Sequence, residues 1–358
     1  MGLLDRLFGR GAATEDEAVG NGPARPLVHQ ARDAVQAGNL EQAVAHCYAA
    51  LALEPDNAGA LQFRAVARAS LGQVAAAMAD CTSAIAEAPR WAEPLLTRGA
   101  LRDAQGDHAG ALEDLDRALE LAPEDPAVHA ARGRSLLGSR QAAAALAELN
   151  EAVRLAPNDP RALTARGSAQ VELGQYDAAI NDFTAALAKA PSATGYRLRG
   201  DAYARRGFLA EALDDFDEAV KREPEQARGY YDRANLHHHA GRYTDQRKDL
   251  AKALRFKPDD PAILNSLAWL LSTCPEDKVR DGARALELAR KACALPGGND
   301  FNCLDTLAAA YAETGAFPEA IATQEKVVAQ APPEVPAFRL RLDTYRLRQP
   351  WRDQPNRR

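Results

Sequence analysis

Six arginines recur at one place in a repeating pattern, Arg64, Arg98, Arg132, Arg166, Arg199 and Arg233, and each has an acid sixteen or so residues on: Asp80, Asp114, Glu148, Asp182, Asp215 and Asp249. A planar guanidinium and a carboxylate can meet through two parallel hydrogen bonds, so this spacing predicts a ladder of ion pairs, each joining two neighbouring helices. Where the arginine place reads Gln30, Leu267 or Leu307, the acid place reads His46, Leu288 or Thr323. The two members are present together or absent together. The ladder is therefore expected to be structural, because an internal partner leaves each arginine little to offer a ligand.

Other residues with chemical potential fall into patterns that lack a reaction. His237, His238 and His239 are consecutive, and on a helix successive side chains diverge by about 100°, too far to converge on one metal ion. They are expected as a solvated or partly stacked run. The five cysteines include no CxxC pair. Cys47 and Cys81 lie one period apart, Cys274, Cys293 and Cys303 lack metal-ligand spacing, and all five read as packed thiols of a reducing compartment. No phosphate-binding loop, G-x-G-x-x-G, G-x-S-x-G or H-E-x-x-H occurs, and no nucleophile stands beside an identifiable base. No catalytic residue, metal or cofactor is expected, and the chain does not read as an enzyme.

Charge and hydropathy narrow the partners. With 44 basic and 50 acidic residues spread over 358 positions, the net charge is −6, so no basic field exists to hold a phosphate backbone. Nucleic acid is not expected. No run approaches the ~18 apolar residues of a membrane span, and the first residues lack the order of a secretory signal. A cytoplasmic location is the expectation.

The elements that would hold these side chains follow from periodicity. Prolines stand at Pro55, Pro89, Pro123, Pro157 and Pro191, 34 residues apart, and continue at Pro224, Pro258 and Pro332. Glycines keep the same beat seventeen or so residues earlier, at Gly38, Gly72, Gly106, Gly174, Gly207, Gly241 and Gly315, where a turn between two helices would fall. The fourth period departs, with Arg140 in that place. Ala43, Ala77, Ala111, Ala145, Ala179, Ala212, Ala285 and Ala320 form one small-residue column, and Ala50, Ala84, Ala118, Ala152, Ala186, Ala219, Ala253 and Ala292 form another about seven residues on. Seven residues is about two helical turns, so both columns lie on one face, where backbones approach closely. A third column, Ala31, Ala65, Gly99, Gly133, Gly167, Gly200, Ala234, Ala268 and Ala308, sits in the first helix of each period.

The period and its small, Tyr, Ala, aromatic and Pro columns, seen together as Gly200, Tyr203, Ala212, Phe216, Ala219 and Pro224, resemble the tetratricopeptide repeat. The resemblance covers residues 24–334 and implies an all-α, right-handed superhelical α-solenoid of about nine helix-turn-helix repeats, closed by a C-terminal cap helix. The eighth repeat, 261–300, carries an insertion around Cys274 to Gly282 and resembles a variant common near the C-terminus of bacterial members. That insertion is read as a tolerated surface loop, with a docking role as the other reading.

Both ends differ from the repeats. In residues 335–358, Phe338, Leu342 and Tyr345 share one helical side while Arg339, Arg341, Arg346 and Arg348 project elsewhere, which predicts a solvating cap; Trp351 to Arg358 form a basic tail expected to be mobile. Residues 1–23 combine a short amphipathic segment (Leu3, Leu4, Leu7 and Phe8) with a linker rich in Gly, Ala and acid, and are expected to be dispensable for the fold. For residues 1–8 the readings are self-docking or disorder, partner docking, and a weak membrane contact.

The resemblance implies a protein-protein interaction scaffold, with a partner segment received in a concave groove lined by first helices. Inward places of that register, the second, fifth, ninth, twelfth and thirteenth of a first helix, hold Arg134, Arg161, Arg197, Arg205, Arg228 and Tyr231, with Tyr196 and Tyr230 beside them and acids at Glu172, Asp201 and Asp232. Arginine and tyrosine there point to an acidic, extended protein or peptide segment. No lysine lies in any first helix, so the family's lysine-and-asparagine clamp on a C-terminal carboxylate is not supported. The alternative is an architectural subunit held permanently in a larger assembly.

Overall fold

The computed structural model describes residues 18–296, 300–332 and 335–353. Among them are nineteen α-helices, one short 3-10 turn and no strand, and Cα packing divides the chain into two compact blocks, Met1–Ala190 and Pro191–Arg358.

The first block holds five helix pairs: α1 (Arg25–Gln36) with α2 (Leu40–Leu53), α3 (Ala58–Ser70) with α4 (Val74–Glu87), α5 (Ala92–Ala104) with α6 (His108–Leu121), α7 (Pro126–Gly138) with α8 (Ala142–Leu155), and α9 (Pro160–Glu172) with α10 (Tyr176–Lys189). The second holds four pairs and one further helix: α11 (Ala193–Arg206) with α12 (Leu209–Arg222), α13 (Ala227–His239) with α14 (Tyr243–Phe256), α15 (Pro261–Thr273) with α16 (Gly282–Ala294), α17 (Phe301–Glu313) with α18 (Phe317–Gln330), and α19 (Pro336–Arg346). Within each block, a pair packs against itself and then against the next pair, which makes each an all-α repeat solenoid.

Short sequence signals set these boundaries. Asp125, Asp159 and Asp260 precede Pro126, Pro160 and Pro261, and each aspartate accepts a hydrogen bond from a first-turn amide, at 2.8, 2.9 and 3.0 Å. The aspartate satisfies an orphan donor and the proline presets φ at the first helical position. Between the helices of a pair the glycines take the left-handed conformation, as Gly72 does at φ 78°, and the Gly72 and Gln73 amides donate back to the Ala69 and Arg68 carbonyls. Arg140 adopts the same conformation, at φ 59°, so the fourth repeat keeps its turn without the glycine.

The alanine columns are the core. Ala43, Ala77, Ala111, Ala145, Ala179 and Ala212 are wholly buried, and so are Ala285 and Ala320. The first-helix small column answers a second-helix column of variable size. Cβ atoms added at Gly99, Gly133, Gly167 and Gly200 would meet Leu115, Leu149, Phe183 and Phe216 at 3.0, 2.5, 2.7 and 3.0 Å. Repeats one and two pair Ala31 and Ala65 with the smaller Cys47 and Cys81, both wholly buried. Burial pushes the Cys47 thiol up to about 12, so it packs as a small apolar group.

Three expectations need correction. Val19 is buried with Val28 and Ala31, and its carbonyl accepts from Asn57 Nδ2 at 2.8 Å, so residues 18–23 are not a linker; residues 1–17 lie outside the described residues. The eighth-repeat insertion is packed rather than a free surface loop. It makes a 3-10 turn, Asp277–Val279, that buries Val279 among Leu250, Leu264 and Leu288, while Arg280 reaches Glu313 of α17 at 2.9 Å. At the C-terminus, Phe338, Leu342 and Tyr345 of α19 are buried as expected, but Arg341 is buried with them.

Candidate functional site

The ladder arginines all sit at the middle of first helices and point at the second helix of their own repeat. Arg64, Arg98, Arg166, Arg199 and Arg233 each meet their acid through two nitrogens, with distances of 2.7–2.9 Å in every case. Arg132 differs: it donates once to Glu148, at 2.5 Å, because His129 Nδ1 takes the other Glu148 oxygen at 2.8 Å. The hydrogen bonds to Asp182 hold the Arg166 guanidinium above its ordinary pKa despite burial.

The ladder also runs backwards, which the sequence did not suggest. The remaining nitrogens of Arg98, Arg132, Arg166 and Arg233 reach Thr82, Asp116, Asn150 and Asp217, sixteen residues earlier on the preceding second helix, at 3.1, 2.6, 3.4 and 2.6 Å. Each of these guanidinia therefore ties its own repeat to the one before. In repeats two and three a second cation joins: Arg68 reaches Asp80 at 2.6 Å and Arg102 reaches Asp114 at 3.0 Å. The arginine four residues after the ladder arginine was the available signal.

The inward residues of the first block are Arg134 and Arg161, both half-buried; Arg161 is held by Asp159 at 3.2 Å. In the second block Arg205 pairs with Asp201 at 2.8 Å, and Asp232 is shared by Arg197 at 2.6 Å and Arg228 at 2.8 Å. One carboxylate between two guanidinia leaves a net positive charge on the first-helix face. Tyr196, the fourth residue of α11, turns toward its own second helix: it is half-buried under the guanidinia of Arg199 and of Arg222 in α12, at 5.6 and 4.9 Å from its ring centre. Tyr231 is half-buried with its hydroxyl 3.3 Å from Ser266 Oγ. Tyr230 does not line the face. It is buried, stacked on Phe256 at 6.0 Å, and its hydroxyl donates to the Pro224 carbonyl at 3.0 Å, because its place in α13 turns toward α14.

The histidine run is not solvated throughout. His237 is buried 3.6 Å from Asp249, and burial lowers its pKa against the pull of that carboxylate. His238 stacks edge-on against His239 and Tyr243. Among the described residues no three His, Cys, Asp or Glu side chains converge as a metal site would need, and no helix is long and apolar enough to cross a membrane.

The C-terminal segment gives the largest departure. Trp351, Arg352 and Asp353 are not a mobile tail; they lie against the first helices of repeats eight and nine. Beneath them Arg341 forms an ion pair with buried Asp305 at 2.8 Å, with the rings of Trp269, Phe338 and Trp351 at 5.3, 5.0 and 5.6 Å.

A family model described as Tetratricopeptide repeat matches residues 29–90, 96–160 and 197–261, and a second of the same description matches 133–197. The chain belongs to the tetratricopeptide repeat (TPR) family. In fold it is similar to a TPR protein from Parabacteroides merdae ATCC 43184, with a TM-score of 0.54 and 21% identity, covering 68% of this chain and 96% of that one. It is also similar to the APC/C hetero-tetramer Cut9–Hcn1, at 0.62 and 16%, covering 86% of this chain and 59% of that one. A third likeness is to PilW, a type IV pilus biogenesis factor, at 0.52 and 20%, covering 57% and 96%. At such identities the likeness is one of fold. No curated protein sequence matches the chain. TPR proteins are in general protein-interaction scaffolds.

Proposed function

We propose that this TPR protein is a scaffold that receives an acidic, extended segment of a partner protein on its first-helix face. The observation that carries the reading is Asp232, one carboxylate between Arg197 and Arg228, which leaves an uncompensated cation beside the half-buried ring of Tyr231. Arginine forks match carboxylates, and rigid amphipathic rings add contact area at low entropic cost. In the first block Arg161 is the corresponding cation, partly offset by Asp159.

The test uses the partner recovered by affinity purification and identified by mass spectrometry. Arg205→Glu with Arg228→Glu changes two exposed side chains and should raise the dissociation constant at least tenfold, about 1.4 kcal/mol. Lys221→Glu, on the second helix of repeat six, should leave it unchanged. Equal affinity of the native chain and the double variant would remove the acidic-segment reading.

A second reading, a subunit held permanently in an assembly, is favoured by one feature: Val335, Leu340 and Leu347 are exposed at the C-terminal end. Size-exclusion chromatography separates the two. The scaffold elutes as a monomer, and an orphaned subunit self-associates through that end.

A further inference from the structure

Trp351, Arg352 and Asp353 make a distinct contact with each of several first helices. The Asp353 amide donates to the Thr273 carbonyl at 2.8 Å, Trp269 Nε1 donates to the Asp353 carboxylate at 3.1 Å, and His238 Nε2 stands 3.7 Å from that carboxylate. Arg352 donates to Glu313 at 2.6 Å and to the Ser272 carbonyl at 3.3 Å. The Trp351 ring faces the Arg341 guanidinium and packs with Ala308, Ala312 and Tyr345. One backbone amide, one cation, one anion and one ring are all matched.

The places of the receiving residues are informative. Trp269 is the ninth residue of its first helix, His238 the twelfth, and Thr273 and Glu313 the thirteenth, which are inward places of the repeat register. The segment covers the surface on which a TPR protein would receive a ligand. It does so incompletely. The Trp351 indole N–H is buried without an acceptor, and Asn265 Oδ1, one turn before Trp269 on the same helix, is buried without a donor. The Arg352 side chain remains 31% exposed, so the segment's hold is open to competition.

We propose that the first-helix face of repeats seven to nine is a peptide-docking site occupied in the resting chain by Trp351–Asp353, and that a partner displaces this segment by presenting its own extended aromatic-arginine-acid sequence. The tether makes the resting occupancy intramolecular. A short tether gives an effective concentration in the millimolar range, so a segment of about 0.1 mM intrinsic affinity masks the site roughly tenfold. A partner longer than three residues gains by supplying an amide to Asn265. The inference concerns first-helix surface that adjoins the acidic-segment site and shares α13 with it, but it rests on the contacts of Trp351–Asp353 and not on the arginines around Asp232.

Fluorescence anisotropy with a labelled peptide carrying residues 347–353 tests it on the full chain. Trp351→Ala with Asp353→Ala should bind the peptide at least tenfold more tightly than the native chain does, and a peptide with glutamate in place of Arg352 should lose at least tenfold on that variant. Equal affinity of the two chains, or no binding by the variant, would overturn the proposal while leaving the Arg205 and Arg228 test untouched. If circular dichroism shows the double variant unfolded, Arg352→Glu, which changes a partly exposed side chain, takes its place. It too should bind the native peptide more tightly than the native chain, and equal affinity overturns the proposal in the same way.

Discussion

The ladder arginines sit where geometry makes an ion pair worth more than at an exposed surface. The side chains of Arg166 and Asp182 are 22% and 10% exposed, and two parallel bonds fix both partners. Exposed pairs contribute at most about 1 kcal/mol, whereas half-buried, bidentate ones couple more strongly. A double-mutant cycle on Arg166→Ala and Asp182→Ala should give a coupling of about 1 kcal/mol or more, read from urea midpoints, and a value below ~0.3 kcal/mol would remove the pairing's energetic role. Arg132 with Glu148 should couple less, since one bond replaces the fork. The forward pairs were legible because arginine and acid are fixed residue types at a fixed spacing. The backward contacts were not, since Thr82, Asp116, Asn150 and Asp217 share no residue type that a column could show. A second residue-scale effect follows from His237, whose folded-state pKa is lowered chiefly by burial. A lowered pKa means that the unfolded chain binds the proton more readily. The neutral ring's contribution is therefore complete above the unfolded value, about 6.5, and is lost as pH falls through the folded value. His237→Gln should shrink the difference in stability between pH 7.5 and pH 5.5 relative to the native chain, and an unchanged difference would show that other groups govern acid sensitivity.

Pairs of helices are fitted to each other by exchange of volume. Glycine in a first helix faces Leu or Phe in the second, and alanine faces Cys in the first two repeats. Gly133→Ala would set a Cβ 2.5 Å from Leu149 Cγ, so it should cost about 1–3 kcal/mol although alanine is the better helix former. The neighbouring turn should respond in the opposite direction. Arg140 holds a left-handed backbone that glycine adopts without cost, so Arg140→Gly should raise stability by about 0.5–1 kcal/mol, measured by chemical denaturation. A loss there would mean that the side chain contributes more than its backbone strain. Turn and helix positions were legible from Pro and Gly spacing because both act through the local backbone. Val19 and Val279 were not, because each is a single apolar residue in a polar, aperiodic stretch whose burial depends on contacts distant in sequence.

Across the whole molecule, repetition makes the fold readable and the function hard to read. A 34-residue period determines which faces are buried, and the same regularity gives every first helix a comparable surface, so that ligand preference rests on local departures such as Asp232 between two arginines. The C-terminal segment was illegible for the opposite reason. Pro350, Trp351 and Arg352 follow no period, and their contacts reach back about 80 residues to Trp269 and Ser272. The central claim is that partners are received on first helices, and hydroxyl-radical footprinting of the chain with and without its purified partner tests it most directly. The account predicts protection of Tyr231 and of other inward first-helix side chains, with second-helix side chains such as Tyr48 unchanged. Protection concentrated on second helices, or none on first helices, would contradict it.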